Sequence, residues 1–216
     1  SIIMGLDEWN LRASMGGIKL RYHRLEEKKA EGVGRRLVNV YRRSYPQVPA
    51  LWAKLRYASF DALTNASGFS NAGKITYEYM KPYLFCHLPS GRSLSYFKPE
   101  AQMQEHPKFE RPVLTLTYEG IDQYTRKWCR LTTHPGKLAE NAVQAVARDL
   151  LAAGLQNADA AGFDIVGHVH DEILATTAEG GPDVEGLIDC MTDAPAWAED
   201  MPIFATGWEG SFYLKD

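Results

Sequence analysis

Phe163-Asp164-Ile165-Val166-Gly167-His168-Val169-His170-Asp171-Glu172-Ile173-Leu174-Ala175-Thr176-Thr177 contains two apolar, β-prone runs separated only by the polar pair His170-Asp171. So short an interruption predicts a tight antiparallel hairpin with those two residues at its tip. The neighbouring carboxylates Asp171 and Glu172 then stand at the end of an apolar strand, where burial is costly unless they face water or a cation. Mg²⁺ takes hard oxygen ligands, with one or two carboxylates completed by water and substrate phosphate, so a single Asp suffices as a protein half-site. A solvated turn and a cation half-site are the two readings these residues leave open.

Upstream, residues 137–150 follow His134-Pro135-Gly136 with helical periodicity, and a helix of about 20 residues is expected there. Lys137, Glu140, Asn141, Gln144 and Arg148 share one face, and Leu138, Val143, Val146 and Leu150 fall largely on others. Residues 83–88 and 93–97 are aromatic-rich and joined by Pro89-Ser90-Gly91-Arg92, which reads as a hairpin. Residues 113–118 and 126–131 read as a second strand pair around Glu119-Gly120. Nearer the N-terminus, Val33, Leu37, Val40 and Tyr41 are helically spaced among Arg35, Arg36, Arg42 and Arg43, giving a basic amphipathic helix that Pro46 ends. A second helical pattern runs from Leu51 through Trp52, Leu55 and Ala58 to about Leu63. Downstream of the hairpin, Pro182 precedes a short helix carrying Val184, Leu187, Ile188 and Met191, and a last strand is expected near residues 203–206. Strands and helices in runs, without βαβ alternation, indicate an α+β fold with an antiparallel sheet.

The net charge of −3 conceals an asymmetry: residues 1–56 carry 12 Lys/Arg against 5 Asp/Glu, and residues 157–216 carry 1 against 13. A basic half suits phosphate and an acidic half suits divalent cations, although two solvated faces would show the same count. Cys86, Cys129 and Cys190 are odd in number and widely spaced, which argues against a disulfide framework or a cysteine zinc site and for a reducing compartment. No apolar run approaches membrane-spanning length and no signal-peptide pattern opens the sequence, so a cytoplasmic setting without membrane association is expected.

Val169-His170-Asp171-Glu172 matches motif C of family A (DNA polymerase I-like) DNA polymerases, at a similar distance from the end of the chain. The segment Gly136-Lys137-Leu138-Ala139-Glu140-Asn141-Ala142-Val143-Gln144-Ala145-Val146-Ala147-Arg148-Asp149 resembles the glutamine-bearing helix of phage members. Leu88-Pro89-Ser90-Gly91-Arg92-Ser93-Leu94 resembles their palm hairpin, Tyr41-Arg42 with Tyr45-Pro46-Gln47-Val48 and Trp52 the helix after the fingers, and Pro195-Ala196-Trp197 with Trp208-Glu209-Gly210 their closing run. Five such segments in the family's order cover roughly residues 33–216 and outweigh a lone four-residue match.

The resemblance implies an antiparallel-sheet polymerase palm with flanking helices: a helical segment over residues 1–65 following the fingers helix, and a palm subdomain over residues 66–216 with the glutamine helix and the motif C hairpin. It implies that Asp171 is a catalytic metal ligand, that Glu172 organises the site and that His170 lies near the primer terminus. Gln144, Asn141, Lys137 and Arg148 would contact DNA, the first two in the minor groove, where acceptors are nearly equivalent across base pairs. Primer-template DNA and deoxynucleoside triphosphates are the implied partners and Mg²⁺ the implied cofactor, in a two-metal site of a bacterial or phage-infected cell. The sequence also departs from the pattern. His134-Pro135-Gly136-Lys137 replaces the usual Tyr-Gly-Gly-Lys, and the motif A aspartate and the fingers-helix pattern are not found; Leu11-Arg12 echoes motif A without its Asp. One metal-ligand set, the fingers and the thumb are therefore expected from a second polymerase chain or an N-terminal part. The alternative is a palm remnant that binds DNA or a polymerase without catalysis. A zinc hydrolase built on His168-Val169-His170 fits poorly, because such a pair comes early in a barrel and only 46 residues follow His170 here.

Overall fold

The computed structural model describes residues 27–106, 109–178 and 180–213. Leu11-Arg12 and the start of the basic N-terminal stretch lie outside the described residues. The chain divides into two compact units, Ser1–Ala50 and Leu51–Asp216. In the first, helix α1 (Glu27–Ser44) carries Arg42 and Arg43 in its last turn, and the rings of Tyr41 and Tyr45 meet at 5.2 Å. Helix α2 (Gln47–Thr64) starts there and runs into the second unit.

The second unit is mixed α and β. Strands β1 (Phe69–Ala72), β2 (Ile75–Met80), β3 (Tyr83–His87), β4 (Ser93–His106), β5 (Phe109–Ile121) and β6 (Trp128–Thr133) form an antiparallel meander in chain order. Alternation of side chains along a strand puts Leu84 and Cys86 on one face and Tyr83, Phe85 and His87 on the other. Register then aligns Tyr77 with Cys86, Cys86 with Leu94 and Leu84 with Tyr96, which concentrates the inner row. Leu55, Ala58 and Ala62 of α2 cover that row, together with Leu138, Ala139, Ala142 and Ala145 of helix α3 (Pro135–Ala160). The three alanines that α3 contributes, Ala139, Ala142 and Ala145, let it approach the sheet closely at little side-chain entropy cost.

Several expectations change in detail. Helix α3 has 26 residues rather than about 20, and Val143, expected away from the polar face, is half exposed because alanines and Leu138 make the buried face. Glu119-Gly120 lies inside β5, and the turn falls at residues 122–127, where Asp122 accepts bonds from the backbone N–H groups of Tyr124 and Thr125. Strands β4 and β5 pair far beyond the predicted runs, and β1–β2 is an additional hairpin. Residues 203–206 form no strand: between Pro202 and Gly207 they have no ladder partner among the described residues, and Gly207 packs against Val184 and Ile188 instead.

Strands β7 (Asp164–Val169) and β8 (Glu172–Thr176) form a separate hairpin, followed by helix α4 (Val184–Thr192) and a 3₁₀ turn, Ala196–Ala198. The C-terminal half of α3 supports both. A Cβ on Gly154 would lie 3.3 Å from the Met191 Cα and 3.7 Å from Ile173 Cδ1, so the glycine permits the approach of α3 to α4 and β8. Asn157 Nδ2 donates to the carbonyl of Cys190 at 3.1 Å. Among the described residues no helix is long and apolar enough to cross a membrane.

Candidate functional site

The β7–β8 hairpin is closed by the pair Val169–Glu172, leaving His170 and Asp171 as its two loop residues. His170 has φ 52°, the left-handed value that mirror-image hairpin turns need at a central residue and that histidine tolerates better than most side chains. A register shift between Ile165 and Gly167 adds a bulge to β7, increasing its local twist. Ile173 and Phe163 are buried and anchor the hairpin, whereas His170, Asp171 and Glu172 are exposed. The tip therefore projects a carboxylate from a held base. The Asp171 side chain accepts no hydrogen bond from a described residue, which leaves its oxygens open to solvent or a cation.

Glu172 is engaged differently. Its Oε2 accepts a hydrogen bond from the Tyr213 hydroxyl at 2.9 Å, and that bond raises the Tyr213 phenol above its ordinary pKa. The contact joins residues 41 positions apart, so no local pattern signals it.

The polar stripe of α3 starts from a built cap. His134 Nδ1 accepts from the Lys137 N–H at 3.2 Å and Pro135 occupies the first turn, so the departure from the usual glycine pair still supplies a helix start. Along the stripe, Lys137 pairs with Glu140 at 3.2 Å, and Asn141 Nδ2 donates to the Tyr96 hydroxyl at 3.3 Å. Gln144 is exposed and Arg148 reaches the hairpin: its two terminal nitrogens lie 3.4 and 3.3 Å from the two ring nitrogens of His168. A neutral imidazole has one acceptor nitrogen, so this is at most one hydrogen bond beside a cation-to-ring contact. Of the residues singled out by sequence, Arg148 is thus brought to the hairpin strand. Lys137 and Asn141 are tied to their own neighbourhood, and Gln144 makes no hydrogen bond to a described residue.

A second set of contacts fixes α3 to the meander. Asp149 accepts from Ser90 Oγ at 2.5 Å and Arg92 Nε at 2.6 Å, while Arg92 Nη2 donates to the Ala145 carbonyl at 2.8 Å. The Pro89-Ser90-Gly91-Arg92 turn, with Gly91 at φ 87°, is thereby bound to the helix one residue past Arg148.

Over 187 residues, 87% of its length, this chain is 36% identical to a protein named DNA polymerase from Bacillus phage SP02. It is similar to a phage DNA polymerase. The chain spans about 28% of that relative's length. No family model matches the sequence, and no solved structure matches it either.

As a metal site, the hairpin tip offers one free hard carboxylate, with Glu172 beside it partly occupied by Tyr213. Among the described residues no group of three His, Cys, Asp or Glu side chains is gathered for a metal. That donor set fits one carboxylate's share of a Mg²⁺ shell and not a complete protein cage.

Proposed function

We propose that these residues form the C-terminal, palm-bearing part of a DNA-directed DNA polymerase of the family A type, with Asp171 as one of its metal-binding carboxylates. The observation that carries the reading is an open carboxylate at the tip of a firmly anchored hairpin, in a chain similar over most of its length to a phage DNA polymerase. The remaining ligand set, the fingers and the thumb come from sequence outside this chain, whether on one polypeptide or a second.

In this reading Asp171 would hold Mg²⁺ through its open carboxylate. When bound, Mg²⁺ would supply Lewis-acid stabilisation of the charge that develops in nucleotidyl transfer. His170 sits beside Asp171 at the tip and faces the primer terminus. Gln144, whose amide is unengaged by described residues, reaches the minor groove of the primer-template, where it senses pair shape rather than sequence. Asn141 joins it there while its amide nitrogen stays on Tyr96, and Lys137 and Arg148 add positive charge along the same stripe.

The test is template-directed primer extension with deoxynucleoside triphosphates and Mg²⁺, run on the complete protein that carries this chain and on the 216-residue chain alone. Extension by the former and none by the latter is expected. Absence of extension by the complete protein, with DNA binding retained, would instead establish a non-catalytic palm.

A further inference from the structure

The segment after the 3₁₀ turn runs without regular structure, yet it is attached at three points within seven residues. A Cβ at Gly207 would lie 2.5 Å from Val184 Cγ2, so the backbone is seated directly on α4. Glu209 Oε1 accepts from the Val184 N–H at 3.0 Å, and Asp183 Oδ1 accepts from the Gly186 N–H at 3.0 Å. Two acidic groups thus satisfy the first turn of α4, a favourable place for negative charge. The third attachment is the Tyr213 hydroxyl on Glu172. The first two hold the segment to α4, and only the third reaches the catalytic hairpin.

We infer that the C-terminal segment is a strap across the motif C hairpin and that Tyr213 is a positioning residue: by holding Glu172 Oε2, it fixes the strand that presents Asp171. The inference rests on the polymerase reading for its effect on chemistry, but the strap contact itself does not. Glu172 directly follows Asp171, and Glu172 is the strand residue paired across the hairpin with Val169. Restraining its carboxylate limits rocking of the tip that carries Asp171. Glu172 accordingly acts as the anchor of the strap rather than as an independent ligand.

The experiment compares Tyr213→Phe, Glu172→Ala, their combination, and Glu172→Gln in the complete protein. Glu172→Gln keeps an oxygen that accepts from the phenol. Hydrogen–deuterium exchange of residues 164–176, whose hairpin amides are ladder-bonded, measured without DNA or metal, reads the strap. Each of Tyr213→Phe and Glu172→Ala should speed exchange by roughly fivefold, the scale of one net hydrogen bond to a charged acceptor at an exposed site. The double variant should add nothing, and Glu172→Gln should stay protected. Single-turnover incorporation across a Mg²⁺ titration reads positioning: Tyr213→Phe should need more Mg²⁺ for half-maximal rate than the parent, and adding Tyr213→Phe to Glu172→Ala should raise the requirement no further. Unchanged or additive exchange overturns the strap. Coupled exchange with an unaltered Mg²⁺ requirement overturns the positioning role. Failure of the polymerase reading would look different again, since the complete protein would then incorporate no nucleotide while the exchange coupling persisted.

Discussion

Asn141 and Gln144 are one helical turn apart on α3, but their amides have different freedom. Asn141 Nδ2 is bonded to Tyr96, whereas Gln144 is exposed. Gln144→Ala should therefore change stability by less than about 0.5 kcal/mol, the usual range for a surface substitution, while weakening primer-template binding or extension by the complete protein. Denaturant unfolding alongside a DNA-binding titration checks both halves, and unchanged affinity and extension would return Gln144 to a solvated face. Beneath this stripe lies a buried set of weak acids. Burial pushes the Cys86 thiol up to about 11, and burial likewise raises the phenols of Tyr77 and Tyr96, the latter against a lowering contribution from the Asn141 bond. The folded chain holds these protons more tightly than the unfolded chain. The thiol's contribution is complete below its unfolded value near 9 and is lost as pH rises from there to about 11, at up to about 1.4 kcal/mol per unit, and the two phenols add to the fall only above their unfolded value near 10. Urea midpoints measured from pH 8 to pH 11 should fall across that window; a constant midpoint would mean these groups ionise in the fold as readily as outside it.

Among the elements, α3 is the joint of the second unit: its first half packs on the meander and its second half meets β8 and α4. Asp149 sits between these halves, accepting from Ser90 and Arg92 with its side chain largely buried. Asp149→Ala leaves both donors without that acceptor and should cost about 2 kcal/mol, the scale of a lost charge-assisted pair. Denaturant unfolding reads it, and a loss under about 0.5 kcal/mol would show the turn to be held by packing instead. The same elements show what the sequence discloses. The β7–β8 hairpin was legible because two polar residues interrupt two apolar runs, and α3 because its cap and periodicity agree. The β1–β2 hairpin was not read, although Ile75 to Met80 is β-prone after the Gly73-Lys74 turn, because Ser70 and Asn71 leave the short first strand without an apolar pattern. Residues 98–106 are similarly polar, and they are strand only because β5 pairs with them. The run at 203–206 misled in the other direction: its composition is strand-like, but no edge receives it among the described residues. At the site, Asp171 could be placed from local pattern alone. The contacts Tyr213–Glu172, Arg148–His168 and Arg92–Asp149 span 41, 20 and 57 positions, and only the fold brings them together.

At the scale of the whole molecule, the second unit supplies a braced hairpin, a polar helix face and one open carboxylate, and the similarity to a phage DNA polymerase covers about 28% of that protein's length. In the proposed two-metal reading, ions roughly 3.5–4 Å apart need more carboxylate than Asp171 alone offers among the described residues. The most direct measurement is single-turnover nucleotide incorporation by the complete protein carrying Asp171→Asn, at saturating DNA, nucleotide and Mg²⁺. The substitution nearly preserves volume and turn tolerance while removing the charge that binds the cation. The account predicts a rate loss of at least about 10³-fold, the scale of removing one strong electrostatic stabiliser, with the fold intact and DNA affinity much less affected. Near-normal incorporation by a well-folded Asp171→Asn protein would contradict it and leave Asp171 as a turn residue.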